Sequence, residues 1–329
     1  MRLSGVRGKI NHRICCDLRR MEARMFNATT LLADALGRHL TETYQRIYGG
    51  REPEYGHLLD GAGKLVIEQI ANSDALYHNI NHTALASLVG EAILHGRLLR
   101  QPVEPTDWLH FILALLAHDI GYVRGVCEGD EGDRFVIDES GATVTLPRGA
   151  SDAALGPYHV DRSKIAVRAR FKSTPHVDAE RIACAIEMTR FPIPDDGKHH
   201  DTDSEPGLVR AADLIGQLAD PLYLRRLNAL YYEFTETGMA DRCGYTSPAD
   251  MVDKYPAFFW RTVEPYIGDA LRYLELTIEG KQWIANLYSH VFTIEHERRR
   301  LGPQPSPDDA KVYIQTRDRL AAGPPKRAG

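Results

Sequence analysis

Residues 108–116 read WLHFILALL, and this almost unbroken apolar run is the strongest constraint on what the chain can fold into. A helix that is apolar on every side has no face to offer water, so it must lie in the middle of a larger helical assembly. Ala117-His118-Asp119-Ile120-Gly121 follows the run and places an adjacent His-Asp pair at the end of a buried element. A carboxylate taken out of water has to be neutralised. A divalent cation does this by taking the imidazole of His118 and the carboxylate of Asp119 together. The competing reading is an interior histidine satisfied by its neighbours, beside an aspartate in a surface turn.

The remaining composition bounds the function classes. A chain of 329 residues with 43% hydrophobic content is long enough for one large core. Its net charge of −5 offers no concentrated basic surface, so a nucleic acid polymer is not an expected partner. A small phosphorylated substrate is compatible, because a metal supplies positive charge locally. The 5 cysteines, among them Cys15 and Cys16, are scattered without a CxxC motif, which fits a reducing cytoplasm. No apolar stretch is long enough for a membrane span, and no membrane association is expected. Residues 1–25 are basic but lack the apolar segment of a signal peptide.

Along the chain, residues 28–48 carry apolar residues at helical spacing and stop at Gly49-Gly50, and a second scaffold helix is predicted over 57–71. His78 and His82, four apart, fall on one face of a helix that runs to about residue 99. The short Pro-containing connection at 101–106 predicts that this helix and the next pack antiparallel, which brings His82 beside His118 and Asp119. Residues 126–156 interrupt the helical pattern with two short alternating runs, 134–138 and 142–146, and are predicted to form a β-hairpin insertion. It is either a lid over the site or a surface loop.

A helix is expected over 157–171, and another with Thr174 as N-cap and Pro175 at its first position. Glu187, inside an apolar stretch, calls for a cationic partner or a metal-bound water. His199 and His200, set among Pro, Gly and acids, read as solvated loop residues. Asp213 sits between Ala212 and Leu214 in an apolar helix, where a metal would explain its burial. Aromatic helices are expected over 222–237, 255–276 and 283–300, followed by a Pro-rich tail over 301–329. The fold class is therefore all-α, one domain over 26–300 with a small β-hairpin insertion.

His82, then His118-Asp119, then Asp213, on separate apolar helices, resembles the HD superfamily of metal-dependent phosphohydrolases. Within it, Tyr77-His78-Asn79-Ile80-Asn81-His82 is similar to the YHNxxH element of the class I cyclic nucleotide phosphodiesterases. AIEMTRFP, with Glu187, resembles their Thr-Asp-Met element, and RAADLIGQLADP resembles the segment carrying their metal-binding Asp. The likeness spans residues 73–276.

The resemblance implies an HD-domain helical bundle with a binuclear centre of two divalent ions (Zn, Mg, Mn, Fe or Ni). It implies that His82, His118, Asp119 and Asp213 hold the first ion and that Asp119 bridges to the second. A metal-bridging hydroxide would then attack a small phosphodiester, such as a cyclic nucleotide, with His78 as general acid. Asn79, His159 and Glu187 would support the ligands or reach the second ion, and Tyr77, Tyr255 and Phe258 would contact substrate. The chain departs from that family in two places. Ile120-Gly121-Tyr122 stands where those enzymes have Val-Asp-His, and Tyr255 falls where they carry a purine-selecting Gln. Other readings of the same scaffold are a phosphomonoesterase or nucleotidase, a di-iron oxygenase, and a non-catalytic binding module. The aromatic C-terminal helices either pair in a homodimer or close the core.

Overall fold

The computed structural model describes residues 27–297, and the basic and Pro-rich terminal segments read above lie outside them. The fold is all-α with a small hairpin. Helix α1 (Ala28–Tyr48) is capped by the Asn27 side chain and packs along α2 (Pro53–Ile70). Helix α3 (Ile80–Leu98) and helix α4 (Pro105–Ala117) follow and pack on each other. In α4 Trp108, Leu109, Ile112 and Leu115 have no exposed surface, as the apolar run required. Burying each such side chain stabilises the fold by about 1.5–3 kcal/mol. A single turn of 3-10 helix, Ile120–Tyr122, ends this part.

The insertion folds as β1 (Arg134–Val136) and β2 (Thr143–Thr145), antiparallel, with Phe135 opposite Val144. Phe135, Leu146 and Leu155 form its own small core. Arg162, fully buried, ties it to the helices by donating to Asp130, to the Val136 carbonyl and to the Gly121 carbonyl. A further 3-10 segment, Asp152–Tyr158, leads into α5 (His159–Phe171), which packs on α6 (Ala179–Glu187). Asp178 caps α6 by accepting from the Glu180 and Arg181 amides, so the helix begins later than Thr174-Pro175 suggested. That carboxylate meets two free N–H groups at once, which a threonine hydroxyl further back in the turn cannot do.

Helix α7 (Glu205–Leu218) lies against α3. Then come α8 (Tyr223–Glu236), the short α9 (Met239–Arg242) and α10 (Pro248–Phe258). A π-helical turn, Phe259–Val263, joins α10 to α11 (Glu264–Leu274), and α12 (Ile278–Glu297) closes the described chain. Among the described residues no helix is long and apolar enough to cross a membrane.

Two glycines set the approach of the elements that matter below. A Cβ on Gly216 would stand 2.7 Å from the Ala86 Cα, so glycine lets the α7 backbone lie directly on α3. One turn earlier on each helix stand Asp213 and His82, which this contact brings together. A Cβ on Gly121 would fall 1.9 Å from the His159 carbonyl oxygen, so only glycine lets the turn after Asp119 pack on α5.

Candidate metal centre and its cavity

His82 in the first turn of α3, His118 at the end of α4, Asp119 just beyond it and Asp213 on α7 converge on one point. His82 Nε2 lies 3.2 Å from His118 Nε2, 3.2 Å from Asp119 Oδ2 and 3.1 Å from Asp213 Oδ1. His118 Nε2 lies 3.1 Å from Asp119 Oδ2 and 3.4 Å from Asp213 Oδ1. Ligands about 2.0–2.1 Å from a tetrahedral ion are separated by roughly 3.3 Å, the spacing of these five pairs. The His118 Nδ1–H donates to the Leu115 carbonyl at 2.7 Å, which leaves the Nε2 lone pair pointing at the shared point. Asp119 Oδ2 is buried and meets only the two imidazole nitrogens, neither in good hydrogen-bond geometry. A two-nitrogen, two-oxygen set with an orphaned carboxylate oxygen fits a divalent cation. His82, His118 and Asp213 are buried or nearly so and offer ligand atoms within 4.8 Å of one another.

Without a cation the two imidazoles take protons instead. Burial opposes charge on His82, but the Asp119 and Asp213 carboxylates outweigh it and raise its pKa to about 9. The same carboxylates hold His118 well above its ordinary value, against its burial. Asp119 and Asp213 are in turn held well below the usual carboxylate range by these imidazoles, although burial opposes it. Metal binding at this centre would therefore release protons.

The other oxygen of Asp119, Oδ1, faces His159 Nε2 at 3.7 Å. The His159 Nδ1–H donates to the Gly156 carbonyl at 2.6 Å, and burial holds the ring below the usual histidine value, so the neutral ring presents an Nε2 lone pair to Asp119. One carboxylate is thus shared between a four-ligand point and a second point flanked by His159. Ser163 fixes this arrangement. Its hydroxyl donates to the His118 carbonyl at 2.7 Å and accepts from the Gly121 amide at 2.9 Å.

His78 stands before the helix and not on its face, because Asn79 is the N-cap of α3 and the helix starts at Ile80. Its ring centroid is nevertheless 5.6 Å from that of His82. Glu233 of α8 holds it. Oε2 lies 2.6 Å from His78 Nδ1, and Oε1 accepts from the backbone amides of Tyr77 at 2.6 Å and His78 at 3.2 Å. Burial disfavours charge on both partners, but their mutual attraction wins, raising the His78 pKa and lowering that of Glu233. Tyr122 is stacked between His78 and His159, with centroids 4.6 Å from each. Glu233 and Tyr122 were not among the sequence candidates. An acid inside the aromatic run YYEF was the signal for the first, and the departure at Ile120-Gly121-Tyr122 for the second.

Three sequence candidates lie elsewhere. Asn79 is occupied as a helix cap, accepting from the Asn81 amide and donating to the Leu76 carbonyl. Glu187 is only half-buried and is neutralised by Lys164 and Arg190, the cationic partners its position called for. Tyr77 is buried behind the histidines, its ring 5.9 Å from His82, and does not line the cavity. His199 also differs from expectation. It is buried, bonded to Asp196, and its carbonyl accepts from Arg210.

A cavity of about 750 Å³ opens from the His78–Asp119–Asp213 edge. Tyr255 and Phe258 line it, as the sequence suggested, together with Phe191, Phe234 and Met251. The β-hairpin does not line it. The insertion contributes Ala153 and Gly156 from its last turn instead, followed by Pro157. A family model described as Npun_R2479-like matches residues 26–297. No curated protein and no solved structure matches the chain.

Proposed function

We propose that this chain, which belongs to the Npun_R2479-like family, is a metal-dependent phosphohydrolase of the HD type that cleaves a small phosphodiester, a cyclic nucleotide being one such substrate. The observation that carries the reading is the spacing of His82, His118, Asp119 and Asp213, with Asp119 turned toward a second point beside His159. Two divalent ions held there supply Lewis-acid polarisation of a phosphoryl oxygen and activation of water as a nucleophile. The protein's own groups do the rest. Asp119 and Asp213 compensate positive charge in a buried setting, the Leu115 carbonyl keeps His118 in its ligating tautomer, and Ser163 fixes the His118 backbone. Glu233 holds His78 protonated on Nδ1 and stabilises its cationic form, so the other ring nitrogen is available to give a proton to the departing ester oxygen. The apolar walls around Phe191, Phe234 and Phe258 exclude water and accept a flat organic group.

The test is a metal-supplemented hydrolysis screen over cyclic mononucleotides, cyclic dinucleotides and monophosphates, with His118→Ala alongside and metal content measured on both proteins. Bound divalent metal in the parent protein, lost with activity in His118→Ala, supports the reading. Protein that holds no divalent metal, or hydrolysis indifferent to the substitution, refutes it. Inorganic phosphate as sole product would reassign the chain to the phosphomonoesterases.

A further inference from the structure

The cavity has a second polar feature that the metal centre does not use. Arg210 on α7 is 1% exposed and lines the cavity. Its Nη1 donates to the His199 carbonyl at 2.8 Å, while Nε and Nη2 have no acceptor among the described residues. The guanidinium lies over the Tyr266 ring, its carbon 4.4 Å from the centroid, so one face is covered by an aromatic wall. No carboxylate pairs with it among the described residues, and the acid that influences it electrostatically, Asp201, makes no ion pair. Burial of the unpaired charge pulls its pKa below the ordinary arginine value, the sign of a cation short of a counter-charge.

Other cavity-lining arginines differ. Arg190 is neutralised by Glu187 and Asp161. Arg242 and Arg261 are exposed to water. The carboxylates lining the cavity, Asp119, Asp213 and Glu233, are all engaged with histidines. A second buried donor lines the same space, since the Tyr255 hydroxyl is 2% exposed as a residue and has no partner among the described residues. An unpaired buried guanidinium is destabilising unless an anion joins it, and an unpartnered buried hydroxyl adds to that cost. Both groups can donate, and acceptor oxygen is what both lack.

We propose that Arg210 forms an anion subsite that binds a phosphate oxygen of the ligand independently of the metal, with the Tyr255 hydroxyl as a second donor lining the same cavity. The choice of phosphate over another oxyanion rests on the phosphohydrolase reading. The unpaired cation in a closed cavity does not. A guanidinium offering two N–H-bearing atoms matches a phosphate edge with paired charge-assisted hydrogen bonds. The substrate therefore presents phosphate to both the metals and Arg210, either through one group that spans them or through two.

The test is calorimetric titration of the full chain, stripped of metal with a chelator, using inorganic phosphate as probe and acetate as the carboxylate control. The parent protein is expected to bind phosphate, Arg210→Gln to weaken it at least tenfold, and Arg210→Lys to retain part of it. Tyr255→Phe is expected to weaken binding about threefold to tenfold while its thermal midpoint stays the same or rises, because the deleted hydroxyl had no partner to lose. Should Arg210→Gln not fold, Tyr255→Phe decides alone. No phosphate binding by the stripped parent protein, or binding indifferent to both substitutions, overturns the proposal. Acetate bound as tightly as phosphate overturns the phosphate assignment. Neither metal content nor turnover enters this titration, so a chain without hydrolytic activity still returns an answer.

Discussion

Glu233 and His78 are separated by 155 positions in the chain, yet the carboxylate oxygen Oε2 sits 2.6 Å from the imidazole Nδ1. The contact fixes the ring's orientation and charge together. Glu233→Gln keeps the shape and removes the charge, so it is expected to lower kcat about 10–100-fold, the usual range for an outer-shell partner. KM and metal content should change little. The loss should deepen as pH rises, because His78 without the carboxylate gives up its proton at lower pH than in the parent protein. A pH–rate profile of parent and variant checks this, and a uniform loss at every pH would count against a proton-donating role for His78.

Metal removal should be visible in stability as well as activity. Metal at 100 times its Kd stabilises the fold by about 2.7 kcal/mol. Chelation is therefore expected to lower the thermal midpoint of the parent protein and leave that of Asp213→Asn, which loses a charged ligand, nearly unmoved. Differential scanning calorimetry with and without chelator reads both.

Gly121→Ala removes no proposed ligand side chain, yet its Cβ would stand 1.9 Å from the His159 backbone carbonyl. Relief requires the Asp119 turn and α5 to separate, against the Ser163 and Arg162 hydrogen bonds that join them. A destabilisation of about 1–3 kcal/mol or more is expected, with loss of metal affinity. Urea denaturation and metal analysis of the variant test it.

A pH effect should also arise far from the metal centre. His39 Nε2 lies 2.6 Å from Glu91 Oε2 between α1 and α3, with Glu279, His95 and Arg46 around them. The hydrogen bond that His39 donates to Glu91 raises the His39 pKa above 6.5, so the stabilisation is fully present below pH 6.5 and is lost as pH rises through the folded value. Burial holds the Glu91 pKa up despite His39, so its proton too is favoured by folding. The parent protein should lose stability between pH 6 and pH 9 more than His39→Gln does. Denaturation midpoints across that range decide it, and parallel curves would refute the assignment.

The helices were legible where a local signal marks them. The stop at Gly49-Gly50 falls where α1 ends, and the apolar α4 announced its own burial. The hairpin was legible through its alternation about Gly141. Convergence of His82 with His118 followed from a short connection between antiparallel helices. What the sequence could not display were pairings made by distant parts of the chain. Glu233 among tyrosines looks like a surface acid until α8 brings it to His78. Arg162 looks like one more arginine on a polar helix, yet it is fully buried and holds the insertion in place. Glu187 carried an ambiguity that composition alone could not resolve, because Lys164 and Arg190 had to be placed beside it first.

The four converging side chains become available at different stages of synthesis. His82, His118 and Asp119 emerge together during synthesis, but Asp213 follows only after the hairpin insertion, α5 and α6. Until α7 docks through Gly216 onto α3, the nascent chain has an incomplete set of donors and little means of retaining an ion. Closing that long loop carries an entropic cost that contacts between neighbouring helices do not. An ion held by all four side chains, as proposed, would report that the chain has reached its native topology.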